Sequence, residues 1–441
     1  MKQHPIPRSN AGVAVVAPDT LTVDSAREYI RSHAKPVGEW RMGLEYELLG
    51  FERGSYRRIN RTRVQELLRA LVLRDGSATL EDQHIIALQM PYGYVTLEPG
   101  GQIEFSGFPH TTLADTERDV RRFLGDLRDL DAERAIFFVA LGFDPLRNLD
   151  EQSWIKKRRY EMMRPYLRRQ GGHAWDMMTR TAAMQVSIDY ENVEDLGRKY
   201  VLGNRLGPIV AAMCANSPYA GGALTGLKST RYAVWLDTDP DRTGAAPATF
   251  DETFDFDATV RALMDVPTFF LERNGELLDV AGQRLTEMDG AHLDDFRALL
   301  SMIFTEARIR EYVEMRSADG GTPEYALALM AFWKGLTYDA GALDAAHAAA
   351  PHLDRAGFRA LQIAVARDAL AARCEGIDVL ATARELVSIA RASLLAIAPD
   401  EIHLLDPLAN NVIEDGVSPA DILMRDCGSN VERAMGAASV A

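Results

Sequence analysis

Stretches of alternating apolar and polar residues are interspersed along this chain with stretches of helical spacing. Alternation places successive side chains on opposite faces of a strand, whereas recurrence every three to four residues marks one face of a helix. The alternating stretches, which predict strands, are residues 41–51, 94–105, part of 175–190, 231–237 and 307–316. The stretches with helical spacing are residues 22–32, 64–73, 112–135, 195–216, 293–304 and 340–398.

Two local signals add to this pattern. Pro99-Gly100-Gly101 predicts a turn or bulge between the two arms of the strand pair at 94–105. Ser418-Pro419 predicts the start of a last short helix, since serine caps a helix and proline suits its first turn. Strands scattered between helices of varied length predict an α+β fold with a mainly antiparallel sheet.

Four of the predicted strands carry charged or polar side chains on one face, because residues two apart on a strand share a face. If these strands belong to one sheet, their polar faces form a carboxylate-lined surface that needs cations, and hard oxygen ligands favour Mg²⁺ or Mn²⁺. A separate solvated face on each strand is the alternative, and periodicity alone leaves both open. The polar sets are Glu45 and Glu47; Glu98 and Glu104; Gln185, Ser187 and Asp189; and Arg308, Arg310, Tyr312, Glu314 and Arg316.

Composition narrows the class of protein. A chain of 441 residues with 47% hydrophobic residues can bury a large core, and its net charge of −15 argues against a nucleic-acid or anionic-membrane partner. Three cysteines and no apolar run of about 18 residues predict a cytoplasmic protein without a membrane span. We predict a flexible N-terminal tail at residues 1–20 and a single domain at 21–441, helical from about residue 340.

Several familiar catalytic motifs do not fit. Residues 221–229 resemble a P-loop, but Leu227 separates Gly226 from Lys228. The histidines lack a paired metal-binding spacing, and no cysteine lies near a plausible histidine partner. These observations argue against hydrolase and zinc-enzyme readings.

Eight segments resemble, in order, motifs of the plant and proteobacterial type of glutamate–cysteine ligase, and they extend from about Arg41 to about Asp339. The resemblance implies a mainly antiparallel sheet curved into a funnel and surrounded by helices, as in glutamine synthetase and glutamate–cysteine ligase, with the active site inside. The segments are GLEYELLGF, VTLEPGGQIEFSGFP, RRYEMMRPY, MMTRTAAMQVSIDY, IVAAMCANSPY, STRYAVWLDTDPDRTG, YVEMRSADGG and AFWKGLTYD.

The resemblance also implies a reaction. ATP, as co-substrate, phosphorylates the side-chain carboxylate of glutamate, and the amine of cysteine displaces phosphate from the acyl phosphate, with Mg²⁺ or Mn²⁺ as cofactor. The expected partners are amino acids and ATP, with no nucleic acid or membrane, and the chain is a monomer or a homodimer. Two alternatives remain: a ligase of secondary metabolism that uses another acid or amine, and a non-catalytic nucleotide-binding protein.

Site roles follow from the resemblance motif by motif. The implied metal ligands are Glu45, Glu47, Glu98, Glu104 and Glu314. The implied ATP-binding residues are Gln185, Lys157, Arg159 and Arg316. The implied substrate-binding residues are Arg231, Arg180, Arg164 and Trp235. Arg316, Glu104 and Glu314 are the implied catalytic residues.

The chain departs from the family pattern at four places. Thr322-Pro323-Glu324 replaces the proline and tryptophan of a GGPW motif, which leads us to expect a reshaped substrate pocket. Ser187 stands for a usual asparagine and Leu48 for a frequent lysine, and residues 404–416 lack an expected arginine. All five implied metal glutamates are retained, which favours intact ATP chemistry.

Overall fold

The computed structural model describes residues 20–146 and 154–440. The predicted N-terminal tail therefore lies outside the described residues, apart from Thr20. The strands, in chain order, are β1 (Met42–Glu52), β2 (Ser77–Glu81), β3 (His84–Met90), β4 (Gly93–Leu97), β5 (Ile103–Gly107), β6 (Ile136–Val139), β7 (Ala183–Ile188), β8 (Tyr219–Ala220), β9 (Ala223–Leu224), β10 (Thr243–Gly244), β11 (Phe270–Arg273), β12 (Glu276–Asp279), β13 (Phe304–Thr305), β14 (Ala307–Ile309), β15 (Val313–Asp319), β16 (Arg373–Cys374) and β17 (Ile377–Asp378).

Helices account for most of the remaining described chain and for nearly all of it after β15. The α-helices, in chain order, are α1 (Val23–Arg31), α2 (Arg61–Val72), α3 (Leu113–Arg134), α4 (Arg158–Leu167), α5 (Ala174–Arg180), α6 (Val193–Arg205), α7 (Gly207–Met213), α8 (Thr230–Trp235), α9 (Phe256–Met264), α10 (Leu293–Leu300), α11 (Pro323–Thr337), α12 (Ala340–Ala349), α13 (Arg355–Asp368), α14 (Val379–Ile397), α15 (Asp406–Ala409), α16 (Pro419–Cys427) and α17 (Val431–Ala437).

One sheet of nine described strands organises the molecule. Its order is β14-β15-β7-β1-β5-β4-β3-β2, and β6 pairs with the second half of β1. Every pairing within this sheet is antiparallel. The predicted α+β class with a mainly antiparallel sheet surrounded by helices is confirmed.

The two faces of β1 differ as the alternation predicts. Leu44, Tyr46 and Leu48 are at most 1% exposed on one face, where the apolar helix α11 packs against β1 and β7. Glu45 and Glu47 point from the opposite face. Because burial of the first face fixes the register, the glutamates are committed to the second.

The main hydrophobic core joins the sheet to the helical C-terminal part, since it contains residues from Ala26 to Val412. This continuity supports a single domain at 21–441, which stays a prediction. Among the described helices, none combines the length and apolar content that crossing a bilayer requires.

Two predicted strands were wrong. Residues 231–237 belong mostly to helix α8, whose N-cap Ser229 accepts a hydrogen bond from the Tyr232 backbone amide at 3.0 Å. Capping and burial of Tyr232 and Val234 outweigh the preference of these residue types for strands. Residues 307–316 form a hairpin, β14 and β15, because the chain reverses at 310–312 without a glycine, proline or asparagine to signal the turn.

Two helix predictions also needed correction. The predicted helix at 195–216 is divided into α6 and α7 at Leu206, where Pro208 lies in the first turn of α7 and has no amide hydrogen to continue α6. Ser418 caps α16 as expected, but α17 follows it, so the predicted helix is not the last.

Candidate active site

Neighbouring strands bring the predicted polar residues together on one face of the sheet. Residues directly opposite each other in antiparallel strands point to the same side, so each row of partners shares that face. The first row is Thr96, Glu104 and Glu47; the second is Ser106, Glu45 and Gln185; the third is Arg308, Glu314 and Ser187.

Three glutamates crowd one end of this face. Glu47 accepts hydrogen bonds from the Ala183 backbone amide at 2.9 Å and from Gln185 Nε2 at 3.1 Å. Burial, followed by the charges of Glu98 and Glu104, raises the pKa of Glu47 well above its usual value. Burial and Glu104 likewise raise the pKa of Glu98, which lies in the loop after β4. The cluster therefore favours any cation that enters it.

Hydroxyl groups hold Glu104 in place. Thr96 Oγ1 donates to Glu104 Oε2 at 3.0 Å and Ser106 Oγ donates to Oε1 at 2.8 Å. These oxygens have the chemistry that Mg²⁺ prefers. Within residues 20–146 and 154–440, however, no three His, Cys, Asp or Glu side chains already stand together as a metal site. The donors fit the ion by chemistry, and the ligand set stays a prediction.

Two arginines bind Glu314 at the other end of the face. Glu314 is fully buried, and its Oε2 lies 2.6 Å from both Arg308 Nε and Arg316 Nη1. Burial opposes ionisation, but the two guanidinium groups outweigh it and hold the pKa of Glu314 well below its usual range. Arg316 also donates to Gln185 Oε1, so Gln185 connects the arginines to Glu47.

Helix α8 supplies the cationic wall. Arg231 is 2% exposed and donates to the backbone carbonyls of Arg316 at 2.9 Å and Ser317 at 3.3 Å. Arg231 and Trp235, one helical turn apart, point the same way. The centre of the Trp235 ring lies 5.9 Å from the guanidinium groups of Arg231 and Arg316. Arg231 Nε and Trp235 Nε1 are buried donors without a partner among the described residues.

Asp319 anchors this wall. Its carboxylate accepts hydrogen bonds from the Asn216 backbone amide at 2.9 Å, the Ser217 hydroxyl at 2.6 Å and the Ser229 hydroxyl at 2.8 Å. It also lies 3.9 Å from Arg231 Nη1. One buried side chain at the end of β15 therefore fixes the N-terminus of α8 and the orientation of its arginine.

A cavity of about 590 Å³, part of it open to solvent, lies over the polar face and beside α8. Six of the predicted site residues line it: Glu47, Glu98, Gln185, Arg231, Trp235 and Arg316. Sequence reasoning assigned no role to the other lining residues, which are Pro99, Gln102, Tyr160, Met163, Met177, Met178, Thr181, Ala183 and Phe304. The cavity combines anionic, cationic and apolar walls.

Two predicted ATP-binding residues at the start of α4, the N-cap Lys157 and Arg159, lie near the glutamates without lining the cavity. Lys157 is half-buried, 5.2 Å from the Tyr160 ring, and burial followed by the charge of Arg159 lowers its pKa to about 8. Arg159 lies 5.7 Å from the Phe270 ring, and burial lowers its pKa. Glu98 attracts both groups, which keeps positive charge at this edge of the site.

The structure does not bring Arg164 and Arg180 into the cavity lining. The Arg164 guanidinium group packs against the rings of both Trp154 and Trp175, 4.4 and 4.7 Å from their centroids. Arg180 pairs with Asp176 at 3.0 Å. Such stacking and pairing support the neighbouring helices, and the substrate-binding roles predicted for the two arginines stay untested.

The residues of the site that received no role from sequence reasoning include Tyr160, Arg308 and Glu306. Tyr160 donates to the Leu97 carbonyl at 2.6 Å from the cavity wall. Arg308 was visible on the polar face, yet only the hairpin places it beside Glu314. Glu306 lies just before β14. It is two residues from Arg308 and so would share a strand face with it, which was the only sequence signal for a role of Glu306.

The departures from the family pattern lie mostly away from the cavity. Leu48 is buried on the opposite face of β1. Thr322 is the N-cap of α11, and exposed Glu324 acts electrostatically on Tyr46, also on that opposite face. The expected reshaping of the pocket by residues 322–324 therefore finds no support in the cavity lining. Ser187 does lie on the polar face, opposite Glu314.

Known proteins resemble this chain in sequence and in fold. The family model "Glutamate-cysteine ligase family 2 (GCS2)" matches residues 41–437. Chloroplastic glutamate–cysteine ligase of Medicago truncatula is 37% identical over 337 residues, which are 74% of this chain but only 66% of that protein's length. The Solanum lycopersicum enzyme is 34% identical over 422 residues, covering 93% of this chain and 80% of that one.

A solved structure supports the fold independently. Glutamate–cysteine ligase of Francisella tularensis, in complex with AMP, superposes with a TM-score of 0.55 over 90% of this chain and 87% of that one, at 13% identity. At that identity the likeness shows the fold alone, whereas the family model covers most of the sequence. The resemblance of the eight segments is thus confirmed. The chain belongs to glutamate–cysteine ligase family 2.

Proposed function

We propose that this chain is an ATP-dependent ligase that joins the side-chain carboxylate of glutamate to the amine of cysteine through an acyl phosphate. The relatives named as glutamate–cysteine ligases support the reaction, and the AMP bound to the Francisella enzyme supports the nucleotide. The observation that carries the proposal is one cavity whose walls combine two glutamates with Gln185, Arg231 and Arg316.

The reaction takes place in two steps. A side-chain oxygen of glutamate attacks the γ-phosphorus of ATP, and the bond from that phosphorus to the bridging oxygen of ADP breaks. The amine nitrogen of cysteine then attacks the acyl carbon and loses a proton, and inorganic phosphate leaves. Positioning and charge neutralisation dominate such chemistry, so no serine or cysteine nucleophile is required.

The residues of the cavity have separate tasks in this proposal. Arg231 Nε and Trp235 Nε1, both buried donors, hold a carboxylate of the acid substrate. Arg316 neutralises the transferred phosphoryl group from its position between Glu314 and Gln185. The positive charges of Lys157 and Arg159 attract the ATP phosphates.

Divalent cations, Mg²⁺ or Mn²⁺, would neutralise phosphate charge where the glutamates meet the nucleotide. The residues proposed to hold them are Glu45, Glu47, Glu98, Glu104 and Glu314. The raised pKa values of Glu47 and Glu98 support this part of the proposal, because each reflects nearby carboxylates that a cation would relieve.

Location and assembly complete the proposal. We infer a cytoplasmic protein, monomeric or homodimeric, whereas the names of the plant relatives describe chloroplastic enzymes. Sedimentation of the purified protein decides between monomer and homodimer.

The test is ADP release by the purified protein with ATP and magnesium, across a panel of acids and amines. Release that requires both glutamate and cysteine, with γ-glutamylcysteine found by mass spectrometry, is the expected result. Release with another acid or amine would instead establish a specialised ligase on this fold. No ADP release with any acid and amine of the panel, in a protein that still binds ATP, would favour a non-catalytic nucleotide-binding protein.

A further inference from the structure

A smaller chamber opens beside the cavity and shares four wall residues with it: Arg231, Trp235, Phe304 and Arg316. It contains about 340 Å³ of empty space, part of it open to solvent. The residues found only in its own wall are Tyr232, Leu236, Gly244, Thr305, Glu306 and Ser317. The shared residues are cationic or aromatic, whereas Glu306 is the one carboxylate of the chamber lining as described.

Hydrogen bonds hold Glu306 as an acceptor. Its Oε1 accepts from the Tyr232 hydroxyl at 2.6 Å and from Gln362 Nε2 at 2.7 Å, and its Oε2 accepts from the Ser317 hydroxyl at 2.5 Å. The side chain is 7% exposed, and burial raises its pKa. The three hydrogen-bond donors are neutral, so among the printed contacts of the described residues Glu306 has no charged hydrogen-bond partner, and Arg231 attracts it only electrostatically.

Positively charged and hydrogen-bond-donating side chains lie at the boundary between the chamber and the cavity. Arg231 Nε and Trp235 Nε1 are buried donors without a described partner there, and Arg316 adds a second cation. Leaving a buried donor unpaired costs free energy, which a ligand oxygen at this boundary would recover. An anionic group at the boundary and a cationic group inside the chamber would satisfy both sets of side chains.

We propose that the chamber binds the α-ammonium group of the acid substrate against Glu306 while Arg231 and Trp235 bind its α-carboxylate. The two groups stand on one carbon of an α-amino acid, which matches adjoining sites of opposite charge. The remaining side chain then extends into the main cavity toward Glu47 and Glu98. The inference rests on the proposed ligase function and makes Glu306 a residue that selects α-amino acids over simple dicarboxylates.

A purely structural role for Glu306 predicts a different result. Its donors Tyr232 and Ser317 adjoin Arg231 and Arg316 in sequence, so loss of the carboxylate could simply displace those arginines. That displacement would lower kcat/KM for every acid to the same extent. Loss of ammonium recognition would lower kcat/KM only for acids that carry an ammonium group. The preference for glutamate over its deamino counterpart glutarate therefore separates the two roles.

The experiment compares kcat/KM for glutamate and glutarate, with cysteine and ATP saturating, in wild type and Glu306→Gln. We expect the preference for glutamate to fall roughly 10- to 100-fold in the variant, since a buried contact between charged groups is lost. Tyr232→Phe is the matched control, because it removes one hydrogen bond to Glu306 and keeps the charge; its preference should change by less than about threefold. Equal losses for both acids in Glu306→Gln would overturn the inference.

Two further arms keep the test decisive. If Glu306→Gln does not fold, Glu306→Ala replaces it because it also removes the carboxylate, and an unchanged preference for glutamate in that variant contradicts the inference. If wild type turns over neither acid, the proposed reaction fails separately, and calorimetry with α-amino acids and their deamino counterparts decides. Selective binding of the amino acids would support the chamber, whereas equal or absent binding would refute it.

Discussion

Replacing Glu314 by glutamine tests whether the two arginines beside it depend on its charge. The side chain is fully buried, and a single oxygen lies 2.6 Å from both Arg308 and Arg316. Glutamine keeps the shape but leaves two buried guanidinium groups facing a neutral amide. Removing one partner of a buried ion pair costs about 3–5 kcal/mol, so we expect the free energy of unfolding to fall by about that amount.

Urea unfolding followed by tryptophan fluorescence measures the effect as a lower midpoint at an unchanged slope. Glu311→Gln is the matched control in the same hairpin. Its side chain is 29% exposed, accepts from the Tyr29 hydroxyl at 2.7 Å and lies 3.8 Å from Arg310, so its loss should cost at most about 1.5 kcal/mol. A cost for Glu314→Gln no larger than that of the control would refute the reasoning.

The pH dependence gives a second check on Glu314. Its pKa in the folded protein is held below the ordinary glutamate value of about 4.3, so the folded state binds fewer protons than the unfolded state. Its contribution is therefore complete above that ordinary value and is lost as the pH falls below it. The stability difference between wild type and Glu314→Gln should stay constant near neutral pH and narrow below about pH 4. A difference unchanged at about pH 3 would contradict the assignment.

Four further changes have expected outcomes. Glu104→Gln should abolish ADP release with an unchanged or higher urea midpoint, because it removes one of three crowded carboxylates; normal turnover at saturating magnesium would contradict its proposed role. Arg231→Ala should mainly raise the Michaelis constant for the acid substrate, and a pure loss of ATP affinity in a binding assay would show that the arginine serves the nucleotide. Gly100→Ala should cost about 2 kcal/mol or more in urea unfolding, because an added Cβ would lie 2.1 Å from the Thr179 carbonyl oxygen; a neutral change would mean that this turn adjusts freely. Burial lowers the pKa of Lys199 to about 8, below the usual value of about 10.4. The free energy of unfolding of wild type relative to Lys199→Met should therefore rise as the pH increases from about 8 to 10. A difference that does not change with pH would refute the lowered pKa.

Alternation along the chain was enough to predict the polar face of the site. Burial of one face of β1 dictates that Glu45 and Glu47 share the other, and the same logic applies to β5 and β7. The sequence pattern therefore identified the polar side chains on the face of the sheet beneath the cavity, of which Glu47, Gln185 and Arg316 line it. It could not show which strands are neighbours, because register depends on contacts between distant segments.

The cationic wall shows what the pattern could not reveal. Arg231 and Trp235 were predicted on a strand but lie on helix α8. Residues four apart share a face in both structures, so the prediction that the two side chains point the same way was correct. Glu306 had no such signal, since its environment arises from α8, β15 and α13 packing together. The surroundings of Arg164 were also beyond the pattern: its motif implied substrate binding, which stays a prediction, and its guanidinium group packs against two tryptophan rings.

The position of β15 between β14 and β7 has a consequence for synthesis of the chain. The glutamates of β1 and β5 leave the ribosome within the first quarter of the sequence, whereas Arg316 and Asp319 follow some two hundred residues later. Until then, β7 has an open edge, and this face has Arg231 and Arg308 but lacks Arg316 and the Asp319 carboxylate that orients Arg231. A truncated chain that ends before β15 would therefore have an incomplete cationic side of the site, and it would offer an unpaired strand edge for association with other chains.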